Sequence, residues 1–167
     1  MKKFLSYALA VGMLAASSQA VESKAAQSEK TVVEASQTLT LKIVNGHLGK
    51  VILGLSPNAS DKYDRGLDDM APPPGMQTGY TALVSADKKH YLYRDTRKPA
   101  NSIEWIFFSE VYKEKPVTIS WNKSLLFKGY KLSLEHGDKT FDMSKVSSIT
   151  LKDTTALMIT ATKIIKK

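Results

Sequence analysis

The feature that most constrains the fold is the alternation of apolar and polar residues along most of the chain. Leu39, Leu41 and Ile43 alternate with polar Thr40 and Lys42. A period of two is that of a strand with one buried face. Similar alternation, or a short apolar run, recurs at 51–53, 78–85, 90–93, 103–108, 117–121, 130–135, 140–143, 147–151 and 155–162. With no sustained helical period beyond the N-terminal segment, the sequence predicts an all-β protein, an antiparallel sandwich of about nine short strands.

The N-terminus predicts export. Lys2 and Lys3 precede a nearly unbroken apolar run at 4–16, and Ser18-Gln19-Ala20 is a small-x-small cleavage site. These are the three parts of a signal peptide, and the apolar run is too short for a standard membrane span. We therefore interpret residues 1–20 as a signal peptide and expect no transmembrane anchor after its cleavage. The predicted location is periplasmic, cell-surface or secreted, and the two lysines are typical of bacteria.

Cysteine usage and charge exclude several classes of protein. The 167 residues contain no cysteine, which excludes a disulfide framework, a thiolate metal site and a cysteine nucleophile. Removing residues 1–20 leaves 22 basic against 16 acidic residues, a formal charge of +6. That excess suits weak attraction to anionic polysaccharide, although it also serves solubility alone. Export argues against nucleic acid as a partner.

Residues 21–36 differ in composition from the rest and predict a flexible leader before a domain at 37–167. The leader is polar and rich in Ala, Glu, Lys and Ser, with Val32 and Val33 as its apolar anchors. Its end, from Thr31 to Ala35, is nevertheless competent to form a strand. One hypothesis is that this segment adds a strand to the exposed sheet edge of a neighbouring molecule.

A long segment without strand pattern, residues 55–79, carries clustered carboxylate and amide side chains. Oxygen ligands of this kind suit calcium, although the spacing does not match an EF-hand loop. The alternative is that these side chains bond backbone amides within the loop. The candidate residues are Asn58, Asp61, Asp64, Asp68 and Asp69. Calcium is the only cofactor that the sequence suggests.

A second cluster mixes cations with aromatic rings and is the candidate site for an anion or glycan. Interleaved aromatic and basic side chains bind acidic glycans, and exposed rings are needed for this. Its members are Lys88, Lys89, Tyr91, Tyr93, Arg94, Arg97 and Lys98. The alternative is that the tyrosines face the core and that Asp95 pairs with a neighbouring arginine.

No constellation of residues predicts catalysis. His47, His90 and His136 lie in three separate segments without metal-like spacing, and no G-x-S-x-G elbow is present. His47 and His136 adjoin turn glycines and are expected to be exposed. Trp105 and Trp121 lie on strongly apolar strands, which favours sandwich core over a sugar platform. The sequence therefore predicts a protein that is not an enzyme.

The order of several short motifs resembles an immunoglobulin-like module of bacterial secreted and cell-surface proteins. Residues 53–68, LGLSPNASDKYDRGLD, followed by APPP at 71–74, resemble its opening loop and Pro-rich stretch. The segments YRDTR at 93–97 and VTISWN at 117–122, the strand beginning at Trp105 and the hairpin at 132–143 resemble its later landmarks. Thr96, Asn122 and Ser144 depart from the pattern, which puts any polar contact shared with the module in doubt.

This resemblance covers the chain from about Leu39 onward and implies an immunoglobulin-like or fibronectin-like sandwich with a structural, adhesive or sorting role. Two functional interpretations follow. The first is a non-catalytic exported protein that mediates protein–protein interaction or assembly in the envelope or extracellular matrix, with a copy of itself among the candidate partners. The second is a binding module for acidic or calcium-dependent polysaccharide.

Overall fold

The computed structural model describes residues 36–75 and 78–165, so the predicted signal peptide and residues 21–35 of the predicted leader lie outside the described residues. Within these ranges the regular structure is β apart from one short 3-10 helix, Lys123–Leu125, which confirms the all-β class. The strands are β1 Gln37–Val44, β2 Lys50–Leu55, β3 Asp69–Met70, β4 Thr81–Val84, β5 Tyr91–Arg97, β6 Ser102–Ser109, β7 Val117–Trp121, β8 Tyr130–His136, β9 Lys139–Asp142, β10 Ser148–Leu151 and β11 Thr155–Lys163.

No helix in the described ranges is both long enough and apolar enough to cross a bilayer.

The residues that alternate in the sequence lie on opposite faces of the strands. In β1, Leu39, Leu41 and Ile43 are buried while Lys42 is exposed. The chain turns at Asn45-Gly46 after β1, and Asn45 adopts the left-handed conformation (φ 66°) that this residue type tolerates. The turn is wider than a two-residue hairpin, because β2 begins only at Lys50.

All strands form one mixed sheet. Its order is β10-β7-β1-β2-β5-β4-β6-β11-β8-β9, with β3 added to β5. Neighbours pair antiparallel except β2 and β5, which run parallel from Ile52↔Arg94 to Leu55↔Arg97. The expectation of antiparallel pairing throughout was therefore wrong at this position. The long connection between β2 and β5 lets the chain return in the same direction, as parallel pairing requires.

The sheet curls so that its two ends share one core. Leu41 near one end, Trp105 in the middle and Leu134 near the other end belong to a single buried cluster. The indole Nε1 of Trp121 on β7 donates to the carbonyl of Met143, which directly follows β9, at 2.9 Å. Strands distant in the sheet order are thus joined across the core. Both tryptophans are buried, as predicted.

Strand β6 is paired along its whole length on one side only. On that side β11 covers it from Ser102↔Thr162 to Ser109↔Thr155. On the other side β4 reaches only from Ser109↔Thr81 to Ile106↔Val84. The chain reverses after β4, since the Ser85 amide donates to the carbonyl of His90. Within the part of the chain that the structure describes, residues 102–105 of β6 therefore pair with no strand on the β4 side, and we call them the open edge of β6.

Candidate functional site

We call the long segment at 55–79 the acidic loop. Where the structure describes it, its carboxylates bond its own backbone. Asp64 accepts hydrogen bonds from the amide (2.5 Å) and hydroxyl (2.9 Å) of Ser60. Asp68 is buried and accepts from the amides of Asp64 and Thr96, both at 2.7 Å. It thereby ties the loop to β5. Short polar side chains commonly bond backbone amides in this way where no strand ladder is available.

Burial raises the pKa of Asp68 above its ordinary value, and the two amide donors act in the opposite direction. The remaining candidate ligands lie elsewhere. Asn58 and Asp61 are exposed, and Asp69 forms an ion pair with Arg94. Among the described residues, no group of three or more His, Asp or Glu side chains is placed to hold a metal ion. Calcium binding stays a prediction.

The basic-aromatic cluster is divided by the fold. Arg97 is buried and makes a two-pronged ion pair with Asp95, with Nε–Oδ1 at 2.7 Å and Nη2–Oδ2 at 2.6 Å. Burial raises the pKa of Asp95, while Arg97 acts in the opposite direction. The Nε of Arg94 lies 3.3 Å from Asp69, at an angle that makes no hydrogen bond. Arg97 is thus paired with Asp95, as the ion-pairing alternative expected, whereas Arg94 lies beside Asp69 instead.

The three lysines of this cluster are exposed, and two of them line an open cleft of about 560 Å³. Lys88 lies in the turn after β4, and Lys98 lies in the loop after β5. Asp61 of the acidic loop lines the same cleft, together with Glu104 of the open edge of β6. Its apolar wall includes Val84 and Ile106. The fold therefore brings together members of two residue sets that the sequence analysis treated separately.

Lys88 and Lys98 are the cations of the cleft without a carboxylate partner among the described residues. Lys88 holds a left-handed backbone conformation, with φ at 58°, because the turn before β5 requires it. The cleft thus combines an apolar wall, two unpaired ammonium groups and two exposed carboxylates. Such a surface suits a ligand that carries charges of both signs beside apolar groups.

A row of apolar side chains faces outward on four adjacent strands. Val84 on β4 pairs with Tyr91 on one side and with Ile106 on the other, and Ile106 pairs with Met158. Directly paired residues point to the same face of a sheet. The opposite, buried face at this level carries Leu83, Phe107 and Leu157. We call Tyr91, Val84, Ile106 and Met158 the outer apolar row.

Aromatic rings extend the outer apolar row at the Tyr91 end. Tyr91 is 47% exposed, and its ring centre lies 5.0 Å from that of Tyr80 and 6.4 Å from that of Phe108. Tyr80 in turn stacks on His47 at 4.6 Å. Tyr93, by contrast, is half-buried and packs against the core. Tyr91 is thus the exposed aromatic ring of the predicted cluster.

His47 is more constrained than its predicted position in an exposed turn implied. Its Nδ1 accepts from the amide of Thr81 at 2.8 Å, and its Nε2 donates to the carbonyl of Pro72 at 3.1 Å. Burial lowers the pKa of this imidazole. The side chain connects the Pro-rich stretch to β4 and was wrongly expected to be exposed. Its partners lie 25 and 34 residues away, so no local signal points to them.

Sequence reasoning also missed Glu104, Val84 and Met158 as surface features. Strand β6 is apolar on both faces by sequence, since Ile106 and Phe108 alternate with Trp105 and Phe107. It is central in the sheet, but Glu104 is exposed and Ile106 and Phe108 are only half-buried. Alternation identifies which residues share a face, but it does not tell whether a second apolar face is covered.

Comparison with known proteins adds nothing to the geometry, because no family model, curated protein or solved structure matches the chain.

Proposed function

We propose that this is an exported, non-catalytic protein that mediates protein–protein association in the cell envelope or outside the cell. The observation that carries the proposal is the outer apolar row. A solvated face of an antiparallel sheet ordinarily presents polar side chains. Here four strands carry Tyr91, Val84, Ile106 and Met158 side by side at matched register. Tyr91 is exposed and the other three are half-buried, and partly exposed apolar side chains side by side on a sheet face favour an interaction site.

The proposed architecture is an immunoglobulin-like or fibronectin-like sandwich, and three features support it. The curled sheet encloses one core, that core contains Trp105 and Trp121, and the sheet ends are joined by the Trp121 indole. The parallel pairing of β2 with β5 is a departure from a purely antiparallel sandwich.

The association is tested with Met158→Lys. A lysine at this position places a charge in the outer apolar row without entering the core, and it should abolish contacts that need the row to be desolvated. The matched control is Thr150→Lys, which adds the same charge at an exposed position of β10. The measurement is cross-linking of the mature protein in envelope extract, with light scattering of the purified chain. Identical cross-linked products for Met158→Lys and wild type would refute the proposal.

A second candidate function is binding of acidic polysaccharide. The observation that favours it is the exposed ring of Tyr91, which lies two residues from exposed Lys89. A ring platform beside a cation suits an anionic sugar. Retention on a polyuronate column should fall with salt and should weaken in Lys89→Ala but not in Lys139→Ala. Equal retention of both variants would exclude this site, and a chelator added to the column buffer tests the calcium requirement.

A further inference from the structure

The four strands at the β10 end of the sheet have an outer face whose chemistry differs from that of the outer apolar row. Strands β10, β7, β1 and β2 carry two basic residues and no acidic one. Their buried apolar residues alternate with residues that point outward. Most of the outward positions are hydroxyl residues: Thr38, Thr40, Thr118, Ser120, Ser148 and Thr150. We call this surface, together with Lys42 and Lys50, the hydroxyl face.

The two lysines of the hydroxyl face lie directly opposite each other. Lys42 on β1 pairs with Lys50 on β2, and both are exposed. Directly paired residues point to the same face with their Cβ atoms about 5 Å apart, and like charges in this arrangement are destabilising. Neither lysine forms an ion pair with another described residue. An anion bound between the two ammonium groups would therefore remove a repulsion as well as gain an attraction.

A groove of about 330 Å³ adjoins the lysine pair and brings hydrogen-bond donors beside it. Lys42 lines the groove, together with Thr40 of the same strand and Ser120, its direct partner on β7. Asn122, which follows β7, lines it as well. The Oδ1 of Asn122 accepts from the amide of Ser124 at 3.0 Å, so its NH₂ group is the part that can donate to a ligand. The groove thus combines an ammonium, two hydroxyls and an amide.

These groups are the ones that proteins use to hold phosphate, with lysine as a point charge and hydroxyl and amide groups as donors. The aromatic residue of the groove, Trp121, is only 5% exposed, so it offers no ring face to a sugar. The row from Lys50 through Lys42 to Ser120 crosses three strands, a span of about 10 Å, which leaves room for more than one phosphate. We propose that the hydroxyl face binds successive phosphate groups of a phosphate-linked polymer.

The test is the binding of long-chain polyphosphate to the mature chain, measured by titration calorimetry at several salt concentrations. Lys42→Gln/Lys50→Gln should weaken binding by about tenfold or more and should flatten its dependence on log salt by about one unit per lysine. The control, Lys62→Gln/Lys139→Gln, removes the same charge from exposed residues off the hydroxyl face and should bind nearly as wild type does. Equal losses in the two variants would mean that net charge alone attracts the polymer, and would overturn the inference.

Urea unfolding checks that the lysine variant is intact. Without polyphosphate, the midpoint of Lys42→Gln/Lys50→Gln should be no lower than that of wild type, because a repulsion is removed. Saturating polyphosphate should raise the wild-type midpoint and leave that of the variant in place. A polyphosphate effect of equal size on both midpoints would overturn the inference.

A second arm tests the groove without changing any charge. Thr40→Val removes a hydroxyl that lines the groove, and Thr150→Val removes one from the same face outside it. Affinity for polyphosphate should fall several-fold in the first variant and stay at the wild-type value in the second. Equal affinities in the two variants would overturn the role of the groove.

Two further probes separate phosphate from carboxylate and a polymer from a lipid surface. Polyuronate should bind more weakly than polyphosphate at the same salt concentration, and equal or tighter binding would overturn the phosphate assignment. Vesicles of phosphatidylglycerol carry the same phosphate chemistry in a membrane. Co-sedimentation that is lost in Lys42→Gln/Lys50→Gln, in a protein that does not bind polyphosphate, would overturn the polymer and make the hydroxyl face a membrane contact.

This inference goes beyond the association function proposed above, and the two fail separately. Met158 lies in the outer apolar row, so Met158→Lys should remove cross-linked products and leave the affinity for polyphosphate unchanged. Wild-type affinity in Lys42→Gln/Lys50→Gln would overturn the phosphate site without touching the association. Cross-linked products that persist in Met158→Lys would refute the association without touching the phosphate site.

Discussion

At the residue scale, His47 is the side chain whose protonation state is fixed by its surroundings. Nδ1 must be unprotonated to accept from Thr81, and Nε2 must carry the proton to donate to Pro72. A proton added at Nδ1 would face the amide N–H of Thr81 and remove that hydrogen bond. Burial also disfavours the charged ring and lowers the pKa of His47.

Because both hydrogen bonds of His47 need an uncharged imidazole ring, the stability of the protein should depend on pH. Its folded pKa lies below the unfolded value of about 6.5, so between the two values the unfolded chain binds more protons. The free energy of unfolding should therefore be fully supported by His47 above about pH 6.5 and should fall below it, by at most about 1.4 kcal/mol per pH unit. Urea unfolding from pH 8 to pH 5.5 measures this slope.

His47→Gln is the test variant, because glutamine can accept and donate as the neutral ring does but does not titrate. It should flatten the slope between pH 6.5 and 5.5. His136→Gln removes a histidine at the end of β8 and is the comparison variant. An equal slope in His47→Gln and wild type would contradict the assignment of the pH dependence to His47.

At the scale of elements, the acidic loop depends on Asp68 for its attachment to β5. Both carboxylate oxygens accept amide hydrogen bonds, one from Asp64 within the loop and one from Thr96 on the strand. An asparagine at this position keeps one oxygen that can accept from a backbone amide. Its NH₂ group replaces the other oxygen and faces the second amide, donor against donor. Asp68→Asn should therefore lower the free energy of unfolding by about 2 kcal/mol.

The control for Asp68→Asn is Asp61→Asn, an exposed neighbour in the same loop. It removes the same charge and should change the free energy of unfolding by less than about 0.5 kcal/mol. Urea unfolding at pH 7 compares the two variants. Equal losses would mean that the net charge of the loop, rather than the two amide bonds of Asp68, determines its stability.

Elements with a simple alternation could be predicted from the sequence, and those that depend on distant partners could not. Strands β1, β7, β8 and β11 follow their apolar period, since one buried face is a local property. β5 continues through Asp95 to Arg97 because those charges pair with each other inside the fold. The two-residue β3 carries no period at all. Its pairing with β5 is set by tertiary contacts alone.

The candidate site shows the same limit. Sequence reasoning selected Asp61 in one set, and Lys88 and Lys98 in another, but it gave no reason for the three to line one cleft. Their meeting depends on where β4 stops and on how the sheet curls. The pairing of Arg97 with Asp95 could be anticipated, because the two residues lie on the same side of one strand.

At the scale of the whole molecule, the curl of the sheet is held by bonds between strands that are far apart in the sheet order. The side chain of Gln37, at the start of β1, accepts from the amide of Lys128 at 2.6 Å, just before β8. The Trp121 indole donates to Met143 beyond β9. One half of the sheet thus bonds directly to the other, in addition to sharing its core.

Trp121→Phe removes the hydrogen bond of the indole but keeps a buried aromatic ring at this position. It therefore tests whether the two ends of the sheet unfold together. Phenylalanine keeps most of the apolar contact but leaves the carbonyl of Met143 without its donor, which should cost about 1–3 kcal/mol. Hydrogen exchange should then accelerate in both β7 and β9. The matched control is Trp105→Phe, whose indole donates to Asp95 at 3.1 Å and not to the β9 end. If exchange in β9 responds equally to the two variants, the loss reflects global stability alone. A selective response to Trp121→Phe would mean that this bond holds the sheet closed.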